Sequence, residues 1–275
     1  MKQIALTDTR SSICTTVLPD YGGTVSSLSL GGVQILRMKP ELIGMASCLA
    51  GGIPVLFPFC SKTDGDTYFA HGQAYTMPFH GLVKGMTFGV EEISGQSVRI
   101  YTVPNEVILK ENYPYDFVLH IEYRVEGKSL YTQAVIENRS DKCMPFYIGW
   151  HPYFRTSSKK DTTFTFDMQH YRSYLDGSEG GWPGNTVDLT RALDHVFWGV
   201  GKREMTLENR ADGYTARIIM DEMHSVATVC TAFDDCVCIE PWTGTPNAVN
   251  TGEVLQWVSP HGEVRCGYEL AVSLI

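Results

Sequence analysis

The chain has 275 residues and a formal charge of −9, from 22 Lys and Arg against 31 Asp and Glu. An acidic balance disfavours nucleic-acid and acidic-membrane partners, which select basic surfaces. No apolar run approaches the roughly 20 residues of a membrane-spanning helix. The N-terminal Met1-Lys2 is not followed by an apolar signal segment, so we expect a cytoplasmic protein with one domain over residues 1–275.

Apolar and polar residues alternate with period two along much of the chain, which predicts strands. The predicted strands lie at residues 97–103, 117–125, 130–136, 162–166, 214–220 and 266–275. No amphipathic helix longer than about three turns is predicted, although Pro40–Leu49 has room for one or two turns. Asp176–Asn185 has the most loop-like composition. Many short strands predict an all-β fold, a large antiparallel sandwich or barrel.

Eight cysteines are present, but none belongs to a CxxC pair, and Cys236-Val237-Cys238 is only CxC. A chain of this length does not require a disulfide framework, so we expect buried free thiols. The spacing also gives no indication of a zinc site.

Gly149-Trp-His-Pro-Tyr-Phe154 places an imidazole among aromatic rings. Pro152 favours an extended backbone at His151, and a histidine titrates near neutral pH. Aromatic faces often pack against the C–H faces of sugars, so His151 is a candidate catalytic residue. For a lone histidine, the commoner interpretation is a ring sealed in an aromatic core.

Glu240 follows the apolar run Cys236–Ile239 and precedes Pro241, which predicts a carboxylate at the end of a buried strand. Carboxylates are rarely buried without a partner. Partial desolvation would raise the pKa of Glu240 towards the range of a general base. The structural alternative is a salt-bridged glutamate.

Three further polar residues are weaker candidates. His80 precedes Gly81, whose backbone can approach a ligand closely, and Lys84 follows four residues later. Asp194 follows the loop-like segment. The structural alternatives are a turn histidine, a solvated charge and a turn aspartate.

In their joint order, these segments resemble the aldose 1-epimerase (galactose mutarotase-like) superfamily. Within it, they are most similar to the branch of hexose-6-phosphate mutarotases and related small bacterial proteins. The most specific matches are Gly149–Phe154, Ile239–Gly244 and Gly51–Pro58, and the resemblance extends from Leu18–Gly23 to the final strand. It implies a large twisted antiparallel β-sandwich with a sugar cleft on one sheet, and neither metal nor organic cofactor.

Position by position, the resemblance implies that His151 is a general acid and Glu240 a general base. It implies that His80 and Asp194 contact the sugar. The implied reaction removes a proton from the C1 hydroxyl of an aldohexose and adds one to the ring oxygen, so that the ring opens and recloses as the other anomer. Each group contributes roughly 10²–10⁴-fold. These roles require the pKa of Glu240 to lie below that of His151.

Two basic positions of the hexose-6-phosphate branch differ here. Ala50 occupies the place of a common arginine, and Lys84 ends a motif that commonly ends in arginine. Lysine offers a phosphate a point charge without the bidentate fork of arginine. Lys62 and Arg155 are candidates to compensate. We therefore expect an isomerase for a neutral aldohexose with Lys84 as a further substrate contact, and a hexose-6-phosphate mutarotase is the alternative.

Three other functions fit part of the pattern. A non-catalytic sugar-binding protein of the same fold would need no matched acid and base. A metal-dependent enzyme would use His80, His151 and Glu240 as ligands, although they lie far apart in the sequence. A glycoside hydrolase would use Glu240 and Asp194 as its carboxylate pair, which leaves His151 without a role.

Overall fold

The structure, a computed structural model, describes residues 1–44 and 50–275. In chain order its strands are β1 (Ile4–Asp8), β2 (Ile13–Leu18), β3 (Thr24–Leu30), β4 (Val33–Gln34), β5 (Val55–Leu56), β6 (Thr67–Ala70), β7 (Gln73–Thr76), β8 (Gly89–Ile93), β9 (Ser97–Thr102), β10 (Phe117–Glu126), β11 (Ser129–Asn138), β12 (Met144–Phe146), β13 (Gly149–Trp150), β14 (Tyr153–Arg155), β15 (Thr162–Thr165), β16 (Met168–Ser173), β17 (Glu179–Gly181), β18 (Thr186–Val187), β19 (Asp194–Val200), β20 (Glu204–Asn209), β21 (Tyr214–Met220), β22 (Val226–Cys230), β23 (Cys236–Trp242), β24 (Gln256–Val258) and β25 (Glu263–Leu274).

The helical segments of the described residues are short. They are 3-10 turns at Pro40–Leu42, Asp64–Asp66, Val83–Gly85 and Lys159–Asp161, a π-helical turn at Ile108–Asn112, and the helix α1 at Ala248–Thr251. Residues 45–49, the second half of the predicted Pro40–Leu49 turns, lie outside the described residues. Among the described residues, no helix combines the length and apolarity needed to cross a membrane.

Two large antiparallel sheets dominate the fold, which confirms the predicted all-β class. One has the strand order β18-β15-β20-β21-β25-β11-β10-β9-β8, and the other has the order β17-β16-β19-β22-β23-β13-β5, with β14 also paired to β23. A four-stranded sheet, β1-β2-β3-β4, and the pairs β6-β7 and β12-β24 complete the pairing. The predicted strands all appear, as β9, β10, β11, β15, β21 and β25, and the last of them begins at Glu263 instead of Cys266.

The core lies between the two large sheets because every strand directs alternate side chains to opposite faces. Ile121 and Tyr123 of β10 and Val237 and Ile239 of β23 belong to one continuous buried cluster. On β23 the alternate residues, which include Glu240, therefore lie on the other face of the eight-stranded sheet. This alternation places a carboxylate inside the protein without putting it in the apolar core.

Glu240 lies within β23, not at its end, so the prediction that Pro241 stops this strand was wrong. β23 continues to Trp242, and Pro241 pairs with Ala227 of β22. Proline is tolerated in sheets where a ladder is interrupted. On its other side, β23 meets β13 and β14, and the residues between these two strands, His151 and Pro152, interrupt the ladder.

The loop-like segment Asp176–Asn185 contains the short strand β17, paired to the edge of β16. Its following residue Trp182 packs edge-on against Phe197, with ring centroids 5.1 Å apart, and also against Phe166. Since Phe197 and Phe166 belong to the buried cluster, the segment covers an edge of the core.

The seven cysteines within the described residues are free thiols, and Cys48 lies outside those residues. The prediction that the thiols are buried was wrong for Cys143, which is exposed, and incomplete for Cys14 and Cys230, which are partly exposed. Composition does not reveal these positions: Cys143 lies between β11 and β12, whereas Cys14 and Cys230 occupy partly exposed positions of β2 and β22.

Candidate active site

A cavity of about 400 Å³ opens on the face of the eight-stranded sheet that points away from the core. Four of the predicted residues line it together: His80, His151, Asp194 and Glu240. Their segments are separated by 43 to 71 positions in the chain, and strand pairing brings them to one place. Among the described residues, no group of three or more His, Cys, Asp or Glu side chains is arranged to hold a metal ion.

His151 and Glu240 are in direct contact, with Nε2 of the imidazole 3.2 Å from Oε1 of the carboxyl group. The ring of Tyr153 stacks on His151 with centroids 4.5 Å apart, and the backbone N–H of His151 donates to the carbonyl of Pro54. The Gly51–Pro58 motif therefore supports the backbone of His151, while Tyr153 fixes the plane of its ring. The two catalytic candidates form one preorganised pair.

Burial acts on the pKa values of this pair in opposite directions. It raises the pKa of Glu240 well above its ordinary value, with further upward contributions from the charges of Cys230 and Asp194, while the indole of Trp242 lowers it. Burial lowers the pKa of His151 to about 3. The expected order, with the pKa of Glu240 below that of His151, was therefore wrong for the site without substrate. Removal from water penalises both charges, so of the two groups Glu240 holds a proton more strongly, and the imidazole of His151 favours its neutral form.

Four buried polar atoms of the cavity wall lack a hydrogen-bond partner within the described part of the chain: Nδ1 of His151, Oγ1 of Thr228, Oε2 of Glu240 and Nε1 of Trp242. Thr228 and Glu240 are directly paired across β22 and β23. Buried polar groups are nearly always satisfied, so unsatisfied groups in a cavity indicate a role in binding polar groups of a ligand. Glu240 thus has one oxygen on His151 and one available to a ligand.

Two hydrogen bonds with the backbone of Ser61 fix the position of His80. The N–H of Ser61 donates to Nδ1 of His80 at 3.1 Å, and the N–H of His80 donates to the carbonyl of Ser61 at 2.7 Å. Burial lowers the pKa of His80, and the charges of His151 and Lys84 act in the same direction. A neutral imidazole that accepts at Nδ1 carries its proton at Nε2. His80 is therefore available as a neutral hydrogen-bond donor, with its ring centroid 5.3 Å from that of His151.

Gly81 is required by the packing of the protein itself, and the close approach of its backbone to a ligand stays a prediction. Its φ is +75°, and a Cβ atom there would lie 2.3 Å from the carbonyl oxygen of Phe57. His80 itself has a φ of +65°. The pair forms a tight left-handed turn that packs on the Phe57 backbone and turns the imidazole into the cavity.

Asp194 is the first residue of β19, and its side chain is half-buried in the cavity wall. Burial raises the pKa of Asp194, while the charges of His195 and Lys62 lower it. Lys62 also lines the cavity, with its ammonium 5.2 Å from the centroid of the Tyr174 ring. One carboxylate and one ammonium therefore lie near the cavity mouth.

The other basic candidates lie elsewhere. The ammonium of Lys84 donates to the carbonyl of Phe79 and lies 5.8 Å from the centroid of its ring, at the rim. Arg155 lines a separate groove and faces Asp212 at 3.9 Å. Ala50 is fully buried. Of these residues, Lys84 alone is near the cavity, and its contact with a substrate stays a prediction.

Further lining residues were not recognised in the sequence. They are Ser61, Phe79, Tyr174, Thr228, Cys230, Ala232 and Phe233. Thr228 and Cys230 could have been found from strand alternation, because they share a face of β22 and pair with Glu240 and Cys238. Ser61 and Tyr174 lie outside regular strands and carry no comparable signal.

The fold and the site together define a class: a mutarotase-like β-sandwich with a histidine and a glutamate in contact in a polar and aromatic cavity. The chain belongs to the aldose 1-epimerase family, whose sequence profile matches residues 4–259. This membership makes it a carbohydrate epimerase or mutarotase by class, with a small sugar as its partner.

Individual relatives agree with this placement. Protein LacX (chromosomal) of Lactococcus lactis subsp. lactis is 26% identical over 242 residues, which cover 75% of this chain and 78% of LacX. The solved structure of the Slr1438 protein of Synechocystis sp. PCC 6803 superposes with a TM-score of 0.94 and 27% identity, covering 100% of this chain and 96% of Slr1438. A galactose mutarotase related enzyme of Lactobacillus acidophilus shares the fold, with a TM-score of 0.85, 20% identity, and coverage of 99% and 97%.

Proposed function

We propose that this protein is an aldose 1-epimerase that interconverts the α and β anomers of a hexose. The direct contact between His151 Nε2 and Glu240 Oε1 inside the cavity carries this proposal. Ring opening of a cyclic hemiacetal needs one group that accepts the C1 hydroxyl proton and one that donates a proton to the ring oxygen. A neutral pair that holds a single proton has one group that can accept a proton and one group that can donate a proton.

The position of the shared proton decides which group acts as the acid and which acts as the base. In the form that burial favours, Glu240 carries the proton and donates it to the ring oxygen, while His151 accepts the proton of the C1 hydroxyl. The opposite assignment, implied by the family resemblance, arises when the proton crosses the 3.2 Å contact before the reaction. Both assignments keep the net charge of the pair constant and restore it when the ring closes.

The remaining lining residues have roles in binding. His80 donates a hydrogen bond to the sugar from Nε2, and Asp194 accepts hydrogen bonds from sugar hydroxyls. The unsatisfied Oγ1 of Thr228 accepts or donates one more hydrogen bond. Trp242 and Phe233 add apolar faces to the wall. This mixture suits a sugar, which has alternating hydroxyl and C–H surfaces.

The charges favour a neutral hexose over a phosphorylated one. Lys62 lines the cavity beside Asp194, so its charge is partly offset, and Arg155 lies in another groove. A phosphate would typically select an arginine fork or several cations. We expect glucose or galactose to mutarotate faster than glucose 6-phosphate at equal concentration, with Lys84 as a rim contact.

Polarimetry of freshly dissolved α-glucose and α-galactose tests the proposal. The wild-type protein should accelerate the decay of rotation, and Glu240→Gln and His151→Asn should each lower that acceleration by roughly 10²–10⁴-fold. Their circular dichroism spectra should match the wild type. If wild-type protein binds sugar but rotation decays no faster than in buffer, the protein is a carbohydrate-binding relative without turnover.

A profile of rate against pH separates the proposed pair from other acid–base arrangements. The one-proton form should be active, so the rate should fall in acid with protonation of His151, near its pKa of about 3. It should fall again in alkali when Glu240 loses the shared proton, well above the ordinary carboxyl range. A single limb near pH 6.5 would instead indicate an exposed histidine acting alone.

A further inference from the structure

Two cysteines face each other across the strands that carry the catalytic carboxyl group. Cys230 of β22 is the direct partner of Cys238 of β23. Directly opposed residues of antiparallel strands have Cα atoms about 4.5–5.5 Å apart. Disulfides form at Cα separations of about 4.4–6.8 Å. The pairing register therefore places the two cysteines within the Cα separation that a disulfide spans, and their thiols are in hydrogen-bonding contact.

The two thiols differ in exposure and acidity. Cys230 is partly exposed and lines the cavity, whereas Cys238 is fully buried behind it. A hydrogen bond from Cys238 lowers the pKa of Cys230, while burial raises the pKa of Cys238. An accessible thiol of lowered pKa next to a buried thiol is the arrangement of an attacking and a resolving cysteine.

This pair is part of the active-site wall. Asp194 is paired with Cys230 on one side and Tyr153 with Cys238 on the other, so the four side chains form one row across the sheet. Glu240 lies two residues beyond Cys238 on the same face of β23, and the charge of Cys230 raises its pKa. A change in the oxidation state of these sulfurs therefore changes the surroundings of Asp194, Tyr153 and Glu240.

We propose that Cys230 and Cys238 are a site of reversible oxidation, which hydrogen peroxide converts to a cross-strand disulfide that lowers the epimerase activity. The effect on activity rests on the proposed function, but the disulfide itself does not.

The reaction balances with peroxide as the only oxidant. The thiolate of Cys230 attacks a peroxide oxygen, so that an S–O bond forms, the O–O bond breaks and hydroxide leaves. The sulfur of Cys238 then attacks Cys230, the S–S bond forms, and the S–O bond breaks with release of water that takes up the Cys238 proton. The hydroxide takes up the proton that Cys230 lost on ionisation, so that two thiols lose two electrons in total and one peroxide becomes two waters.

Peptide mapping after peroxide treatment and thiol blocking tests the bond directly. Cleavage at Asp234 and Asp235 separates Cys230 from Cys236 and Cys238, so a disulfide holds two peptides together until dithiothreitol is added. We expect linked peptides in the wild type and in Cys236→Ser, and separate peptides in Cys230→Ser and Cys238→Ser. A linkage that is absent, or that is lost in Cys236→Ser, overturns the proposal.

Mutarotation measured on the same samples tests the consequence. After peroxide treatment, the acceleration by wild-type protein should fall at least about tenfold below that of the untreated sample. Dithiothreitol should restore it. Cys143→Ser, which removes an exposed thiol on another loop, should lose and recover activity in the same way. Linked peptides with an unchanged rate would overturn the regulatory part. If the untreated protein shows no mutarotation at all, the proposed function fails, and the peptide map still decides whether the disulfide forms.

Discussion

At the scale of single residues, burial of the Glu240 carboxyl group lowers the stability of the folded protein. Its side chain is 2% exposed, and its neighbours raise its pKa in place of pairing it with a fixed positive charge. His151 is neutral in the same cavity. Burial of a carboxyl group as a neutral acid requires the folded protein to hold a proton that the unfolded chain releases in neutral solution. Active sites commonly carry such a cost, because the perturbed group does the chemistry.

This cost predicts a pH-dependent gain in stability for Glu240→Gln. The folded pKa of Glu240 is raised above its ordinary value of 4.5, so its contribution to stability is fully present below pH 4.5 and decreases as the pH rises towards the folded pKa. The free energy of unfolding of Glu240→Gln minus that of the wild type should grow by about 1.4 kcal/mol per pH unit over that interval. Urea denaturation at pH 5, 6, 7 and 8 measures this difference.

An exposed carboxyl group provides the control. Glu106→Gln alters a side chain that is 90% exposed, and its stability difference from the wild type should show almost no dependence on pH. An equally flat difference for Glu240→Gln would show that the buried carboxyl group is already ionised in the folded protein.

At the scale of elements, β23 combines two environments because its side chains alternate. Val237 and Ile239 face the core, whereas Cys238 and Glu240 face the cavity side. The sequence shows the alternation only weakly, since every residue of β23 is buried and cysteine is itself an apolar residue in most cores. The break between β13 and β14 then leaves room for His151 to meet Glu240 from the neighbouring segment.

The tight turn at His80 and Gly81 makes a second prediction at this scale. Gly81→Ala would introduce a Cβ 2.3 Å from the Phe57 carbonyl oxygen in a backbone with a φ of +75°. We expect a loss of roughly 3 kcal/mol or more in the free energy of unfolding, because a strained backbone conformation alone costs about 1–3 kcal/mol and the clash adds to it. Denaturant titration measures the loss of stability. If the variant still folds, polarimetry should show that it needs a higher sugar concentration for the same acceleration, because the turn positions His80.

Gly127→Ala is the matched control for that variant. Gly127 has a φ of +60°, but its Cβ would meet no atom within 4 Å. Its substitution should cost only about 1–2 kcal/mol for the left-handed conformation and leave mutarotation unchanged. Equal losses for the two variants would mean that packing against the Phe57 backbone contributes nothing at Gly81.

At the scale of the whole molecule, the two large sheets share one buried cluster that also includes side chains of the four-stranded sheet, such as Leu6 and Leu28. The site occupies the opposite face of one sheet, so the core supports the cavity without being part of it. This separation allows the cavity wall to carry polar and titratable groups while the interior remains apolar.

One continuous core predicts cooperative unfolding of residues 1–275 as a single domain. Thermal unfolding followed by far-ultraviolet circular dichroism and by fluorescence of the five tryptophans should give coincident transitions. The buried Trp150 and Trp242 report on the eight-stranded sheet, while circular dichroism reports on all strands. Two separated transitions would contradict a single domain.

The sequence by itself determined the class of fold, because period-two alternation and short turns are local properties, as in β10, β11 and β21. It also identified His80, His151 and Glu240 as candidates from their Gly-, Pro- and aromatic-rich surroundings, and Asp194 from its position after a loop. Their roles remain proposals.

Only the tertiary structure decided the order of the pKa values at the site and the contacts made by its residues. The pKa values of Glu240 and His151 depend on how much water the surrounding sheet excludes, and local sequence does not encode that exclusion. The pairing of Cys230 with Cys238 depends on the register of β22 and β23. Long-range strand pairing sets both properties, because it brings together residues whose spacing along the chain carries no information about distance.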